Sequence, residues 1–126
     1  MTRVIDASCV LALIRREPGC EVLASLLPGS RISTVNIAEV AGRLADLGLE
    51  SARIREIVVE LDLTEEPFGL EDALAAGGMR TATRALGLSL GDRACLALAR
   101  RLGAPAYTAD RAWRDIDVGV EVILVR

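Results

Sequence analysis

Four carboxylates lie at positions in the sequence that a parallel sheet would bring together. Asp6 and Asp110 directly follow short runs that are typical of buried strands, Glu39 lies in the first turn of the helix predicted after the second strand, and Asp92 opens a long segment with helical spacing. Oxygen ligands of this kind bind Mg²⁺ or Mn²⁺ together with several waters. A metal held in this way activates water and stabilises the leaving oxygen of a phosphodiester. The four residues therefore predict metal-assisted hydrolysis, with one metal or two.

Each of these carboxylates also has a purely structural interpretation. Asp6 and Asp110 stand at helix N-cap positions, and the spacings Asn36-x-x-Glu39 and Ser89-x-x-Asp92 fit the capping box. The set as a whole favours a metal, because carboxylates converging on one end of a sheet would repel one another without a cation.

The composition excludes several other kinds of chemistry. The chain has no histidine, and arginine supplies all 15 of its basic residues, so lysine is absent. A Ser-His-Asp triad, a histidine-ligated metal, a lysine Schiff base and a Walker-type phosphate loop are therefore ruled out. A net charge of −3 argues against tight, sequence-independent wrapping of nucleic acid, although a local arginine patch remains open.

The elements that position these residues alternate in the pattern of an α/β protein. Short apolar runs predict five strands, and segments with apolar residues three and four apart predict the intervening helices. We find no repeat or linker, so residues 1–126 are expected to form a single domain. The predicted strands are Arg3–Ile5, Arg31–Ser33, Leu63–Thr64, Pro105–Thr108 and Val120–Val125.

The expected location is the cytoplasm. No apolar run is long enough to span a membrane, and the amino terminus lacks the features of a signal peptide. Cys9, Cys20 and Cys95 are odd in number and form no C-x-x-C pair, so they indicate neither a disulfide framework nor a metal site. Cys95 lies in an apolar run and is expected to pack in the core.

Four segments together resemble the motifs of PIN-domain ribonucleases, and more narrowly those of VapC toxins from bacterial toxin–antitoxin pairs. They span nearly the whole chain in the order of the family: Val4–Ser8, Ser33–Val40, Gly87–Ala99 and Tyr107–Trp113. The resemblance implies a three-layer α/β/α fold with a five-stranded parallel sheet of order 3-2-1-4-5. It also implies an Mg²⁺- or Mn²⁺-dependent endoribonuclease, a homodimer formed near Glu39 and Arg80, and inhibition by an antitoxin whose tail lies in the active groove.

The same resemblance assigns roles to individual residues. Asp6 would be a ligand shared by the metals with Asp92 as its partner, and Glu39 and Asp110 would bind metal directly or through water. Three polar residues would support this site, namely Ser8, Asn36 and Thr108. Arg93 and Arg111 follow two of the acidic residues and are the best candidates for RNA contacts, while a metal contact by Asp115 or Asp117 stays open.

Other classes of protein fit less well. A receiver domain needs a lysine, and a haloacid-dehalogenase-like phosphatase needs an aspartate where this chain has Ser8. A PIN-like binding module with a vestigial site and a nuclease acting on DNA remain alternatives. All four acidic positions of the motifs are occupied by acidic residues, which counts against a binding module with a vestigial site. The short chain leaves little room for the added segments that are usual in relatives acting on DNA.

Overall fold

A computed structural model describes all 126 residues. Its strands are β1 (Val4–Ile5), β2 (Arg31–Ser33), β3 (Thr64–Glu66), β4 (Ala106–Thr108) and β5 (Val122–Leu124). Its α-helices are α1 (Ala7–Ile14), α2 (Cys20–Leu26), α3 (Thr34–Asp46), α4 (Ser51–Glu60), α5 (Leu70–Gly78), α6 (Arg80–Thr83) and α7 (Leu90–Leu102). Two 3₁₀ helices follow α6 and β4, over Arg84–Leu86 and Arg111–Asp115.

The strands form one parallel sheet in the order β3-β2-β1-β4-β5, which confirms the predicted topology. The chain leaves β1 toward β2 on one side and later returns to β4 on the other. Strand order therefore reverses at β1. In open α/β sheets, ligands bind beyond the carboxyl ends of the strands at such a switch point.

Two hydrophobic clusters cover the two faces of the sheet. Neighbouring residues of a strand point to opposite faces, so Val4 packs in the cluster with α5 and α7, whereas Ile5 packs in the cluster with α1, α2 and α3. β4 alternates in the same way, with Ala106 on the α7 side and Tyr107 on the α1 side. Helices thus cover both faces, as the three-layer prediction required.

Helix α7 is the best-defined helix of the core. Ser89 and Asp92 cap its first turn reciprocally, and Gly103 ends it in the left-handed conformation at φ +62°. Every residue from Ala94 to Ala99 is buried, including Cys95, which confirms the expected core position of that thiol. Trp113 is also fully buried against the same cluster.

The structure differs from the sequence-based prediction in several local details. Helix α3 begins at Thr34 with Ser33 as its cap, so Glu39 lies in the second turn and Asn36 is not a cap residue. Leu47 continues the three-and-four spacing of apolar residues along α3, which predicts a buried position, but it is 69% exposed because α3 ends before it. Gly77 and Gly78 are poor helix formers and predict a kink or break at their own positions, but they do not interrupt α5, and the break comes at Met79. No helix is both long and apolar enough to cross a membrane.

Candidate metal-binding active site

Asp6 lies at the carboxyl end of β1 and is the most buried of the predicted acidic residues, at 2% exposure. It caps α1 by accepting the backbone N–H of Cys9 at 3.2 Å. The hydroxyls of Ser8 and Thr108 donate to its two carboxylate oxygens, each at 2.6 Å. Asp6 therefore caps a helix and lies at the candidate site at the same time. The capping interpretation and the metal-site interpretation of this residue do not exclude each other.

The two hydroxyls are themselves oriented by the backbone that follows β4. The N–H of Ala109 donates to Ser8 Oγ at 2.9 Å, and the N–H of Asp110 donates to Thr108 Oγ1 at 3.0 Å. Because each hydroxyl oxygen accepts from the backbone, its proton is free to point toward Asp6. This chain of hydrogen bonds fixes the Asp6 carboxylate relative to both central strands.

Glu39 is held by a side chain one turn earlier on α3. Asn36 Nδ2 donates to Glu39 Oε1 at 2.7 Å and to the carbonyl of Gly91 at 3.1 Å. Both partners are acceptors, so the orientation of the amide is determined, and its buried Oδ1 has no hydrogen-bond partner. The carboxylate of Glu39 occupies the space that a β-carbon at Gly91 would fill.

Asp92 and Asp110 also combine capping with a position at the site. Asp92 Oδ2 accepts the N–H of Ser89 at 2.9 Å, and Asp110 Oδ1 accepts the N–H of Ala112 at 2.9 Å. In each residue, as in Glu39, one oxygen is held by the protein and the other accepts no hydrogen bond from it. These outer carboxylates are thus fixed in place while keeping one free oxygen to offer a ligand.

One cleft of about 170 Å³ brings the four predicted carboxylates together. Ser8 and Asn36 line the same cleft, and Thr108 supports it from behind Asp6. Burial raises the pKa of Asp6, with a smaller contribution from the charge of Asp92. Burial likewise raises the pKa of Asp92, and the nearby charge of Asp110 adds to it. The cleft therefore concentrates four acidic side chains beside a single cationic one, Arg43.

The donor set suits a hard divalent ion. In this conformation no group of three or more acidic or thiol side chains is close enough together to hold a metal ion. Mg²⁺ usually takes only one or two carboxylates and keeps several waters, so the free oxygens of the outer carboxylates around an open cleft meet its requirements. Asp6 offers a buried charge at the centre of the same group. The residues present fit Mg²⁺ or Mn²⁺ better than a softer metal, because no thiol or imidazole faces the cleft.

The raised pKa of Asp6 predicts how the stability of the metal-free protein depends on pH. Above the ordinary pKa of 3.8 the unfolded chain loses this proton while the folded chain retains it. The free energy of unfolding contributed by Asp6 should therefore fall as pH rises from 3.8 through the folded-state pKa, by about 1.4 kcal/mol for each pH unit between the two pKa values. Urea unfolding in EDTA between about pH 4 and 8 measures this loss. An Asp6→Asn variant should lack it, and equal pH profiles for the two proteins would contradict the prediction.

The predicted RNA-binding arginines lie outside the cleft. Arg93 is half-buried and donates to the carbonyl of Ala76 at 2.9 Å. Arg111 is exposed at the start of the 3₁₀ helix that follows Asp110. Asp115 and Asp117 are also exposed and do not line the cleft.

The sequence interpretation missed two features of the site. Arg43 lines the cleft from α3, and Gly91 makes room for Glu39. The four-residue spacing from Glu39 to Arg43 would have placed the arginine on the same helix face. Nothing in the sequence alone pairs Gly91 with Glu39, because the two residues lie on different helices.

Comparisons with known proteins agree with this architecture. A model of the PIN domain matches residues 3–119. A toxin–antitoxin complex from Klebsiella pneumoniae is similar in structure at a TM-score of 0.74 and 16% identity, covering 100% of this chain and 98% of that chain. DNA-bound VapBC from Salmonella typhimurium gives a TM-score of 0.76 at 16% identity, covering 100% and 99%. FitAcB from Neisseria gonorrhoeae gives 0.69 at 20% identity, covering 99% and 98%.

No curated protein sequence matches the chain. The structural likenesses are at low identity and establish the fold alone. The family match is independent of them and spans nearly the whole chain, including all four acidic residues of the cleft. The chain therefore belongs to the PIN-domain family.

Proposed function

We propose that this protein is an Mg²⁺- or Mn²⁺-dependent endoribonuclease that hydrolyses RNA phosphodiester bonds. The observation that carries the proposal is the convergence of Asp6, Glu39, Asp92 and Asp110, from four separate parts of the chain, on one cleft beyond the carboxyl ends of the strands. Membership of the PIN family supports it, because PIN domains are nucleases. The all-oxygen donor set and the excess of acidic over basic side chains in the cleft support metal dependence.

The residues of the cleft divide the work by their surroundings. When bound, Mg²⁺ or Mn²⁺ supplies the positive charge that activates a water and stabilises the leaving oxygen. Asp6 is held rigidly by two hydroxyls and provides the central charge. Glu39, Asp92 and Asp110 present free oxygens that bind the ion or its waters. Ser8, Asn36 and Thr108 keep two of these carboxylates, Asp6 and Glu39, from rotating out of position, as supporting residues around metal ligands do.

The test is cleavage of structured RNAs by the purified protein in Mg²⁺ or Mn²⁺. We expect internal cuts that disappear with EDTA and return when metal is restored. Cleavage that persists in EDTA would overturn the metal mechanism. RNA binding without cleavage under either metal would favour a binding module, and preferential cutting of DNA would move the substrate to the other nucleic acid.

We further propose that the protein is the toxin of a toxin–antitoxin pair. The similarity in fold to VapBC and FitAcB supports this, as does the acidic cleft, which suits a basic side chain of an antitoxin tail. Expression of the chain alone should arrest bacterial growth, and co-expression of a small protein encoded directly upstream should relieve the arrest. Undisturbed growth in the presence of active protein would remove the assignment.

All three cysteines are free, in keeping with a reducing cytoplasm.

A homodimer is part of the same proposal. The resemblance places the contact on the helices near Glu39 and Arg80. Three leucines on or next to α3 and α5 are exposed and available to such a contact, namely Leu47, Leu70 and Leu74. Sedimentation at several concentrations tests this, since a monomer throughout would exclude the dimer.

A further inference from the structure

Arg43 is the only cationic side chain that lines the acidic cleft. It lies on α3 one helical turn after Glu39 and is exposed. A glutamate followed four residues later by an arginine usually forms an ion pair on a helix surface. Arg43 forms no ion pair and donates no hydrogen bond, unlike the arginines that are committed elsewhere in the fold, namely Arg31, Arg53, Arg101 and Arg126.

The reason for this missing pair lies in the surroundings of Glu39. Asn36 holds Glu39 Oε1 at 2.7 Å, and the carboxylate rests in the gap over Gly91 on the side of α7. The glutamate is therefore held toward Asn36 and Gly91 and makes no ion pair with Arg43. The guanidinium of Arg43 keeps all its N–H donors available at the wall of the cleft.

A free guanidinium beside four carboxylates suits a bidentate interaction with phosphate. Arginine presents two parallel N–H donors that match the oxygens of a phosphate group. It also offsets part of the repulsion that a polyanion meets when it approaches an acidic site. The arginines that follow Asp92 and Asp110 in sequence do not line this cleft, so Arg43 is the one guanidinium that the cleft itself offers to a phosphate.

We infer that Arg43 is a substrate-positioning residue that binds an RNA phosphate flanking the scissile bond. The inference rests on the proposed function and adds a residue that the acidic motifs do not contain. The contact is to the backbone, so it contributes affinity and register rather than base preference. Its effect should appear in KM and in RNA binding, because the contact exists before the reaction begins.

The experiment compares Arg43→Ala with Arg55→Ala. Arg55 lies on α4, is exposed, forms no ion pair and does not line the cleft, so it controls for loss of one positive charge. We expect Arg43→Ala to raise KM about tenfold with kcat changed by less than about twofold, the signature of lost ground-state binding. Arg43→Lys should recover part of the loss, because it keeps the charge but not the paired donors. Arg55→Ala should match the native protein.

A binding measurement supplies a readout independent of turnover. Fluorescence anisotropy with a short labelled single-stranded RNA, in an Asp6→Asn background that prevents cutting, gives Kd across a salt series. Removing one phosphate contact should weaken binding about tenfold and reduce the slope of log Kd against log salt by about 0.7. Arg55→Ala in the same background should leave both unchanged.

The outcomes separate this inference from the proposed function. If the native chain cuts RNA and Arg43→Ala leaves KM, Kd and the salt slope unchanged, Arg43 does not contact the substrate and the nuclease assignment stands. A fall in kcat at constant KM would instead assign Arg43 to the support of Glu39 and overturn the inference. If the native chain neither cuts nor binds RNA, the proposed function fails and the role of Arg43 fails with it.

Discussion

Replacing Asp6 with asparagine is expected to lower RNA cleavage on the order of a thousandfold or more, the scale of groups that stabilise charge in a transition state. The same change should raise the free energy of unfolding of the metal-free protein at pH 7, because it removes a buried charge whose pKa burial has raised. Activity and stability therefore move in opposite directions. Cleavage rates and urea unfolding in EDTA measure the two effects.

The surroundings of Asp6 can accept this change without loss of the fold. Ser8 Oγ and Thr108 Oγ1 lie 3.2 Å apart, so a hydroxyl that loses its carboxylate acceptor can donate to the other hydroxyl. Each oxygen also has a second lone pair for the new amide. Asp46→Asn is the matched control, since Asp46 is exposed at the end of α3 and away from the cleft. An Asp6→Asn protein that cuts at the native rate would remove Asp6 from the mechanism.

Replacing Gly91 with alanine should reduce cleavage about 10- to 100-fold while leaving stability unchanged or slightly raised. The new methyl group would overlap the carboxylate of Glu39 and force it away from Asn36. Only the flexible end of the exposed Glu39 side chain must move, so the substitution should cost little free energy of unfolding. Alanine also suits the first turn of α7 better than glycine, by up to about 1 kcal/mol. The loss matches the scale found when residues that orient metal ligands are changed.

A double-mutant cycle identifies the cause of that loss. In a Glu39→Ala background, Gly91→Ala should cost almost nothing further, because the displaced carboxylate is already absent. Gly42→Ala is the matched control: it lies inside α3 with open space around a β-carbon, and it should keep full activity. Additive losses in the cycle, or native activity in Gly91→Ala alone, would show that Gly91 does not act by making room for Glu39.

Much of the fold could be predicted from the sequence, since it depends on short-range patterns. The apolar spacing predicts helices over Ala7–Ile14 and Leu90–Leu102, with Gly103 ending the second of them. The structure has α1 and α7 at these bounds. The errors fall where neighbouring residues compete for one role. Ser33 takes the cap position of α3, which leaves the side chain of Asn36 inside the helix and free to hold Glu39.

The acidic residues of the site could be predicted from the sequence, but the contacts between them and their neighbours could not. Asp6 and Asp110 could be found from their positions directly after strands, and Glu39 and Asp92 from their positions near the starts of helices; the structure places all four in one cleft. The hydroxyl pair of Ser8 and Thr108, the fit of Glu39 over Gly91 and the unpaired state of Arg43 all depend on contacts between distant segments. Residue spacing along one chain carries no signal for such contacts.

The hydrogen bond from Thr108 to Asp6 joins segments about one hundred residues apart in the sequence. Thr108 and Asp110 are synthesised about one hundred residues after Asp6, so a nascent chain lacks the second half of the cleft until that later segment has been made. The cleft therefore cannot form while the chain is still short, and any activity that needs all four carboxylates begins only after β4 has joined β1 in the sheet.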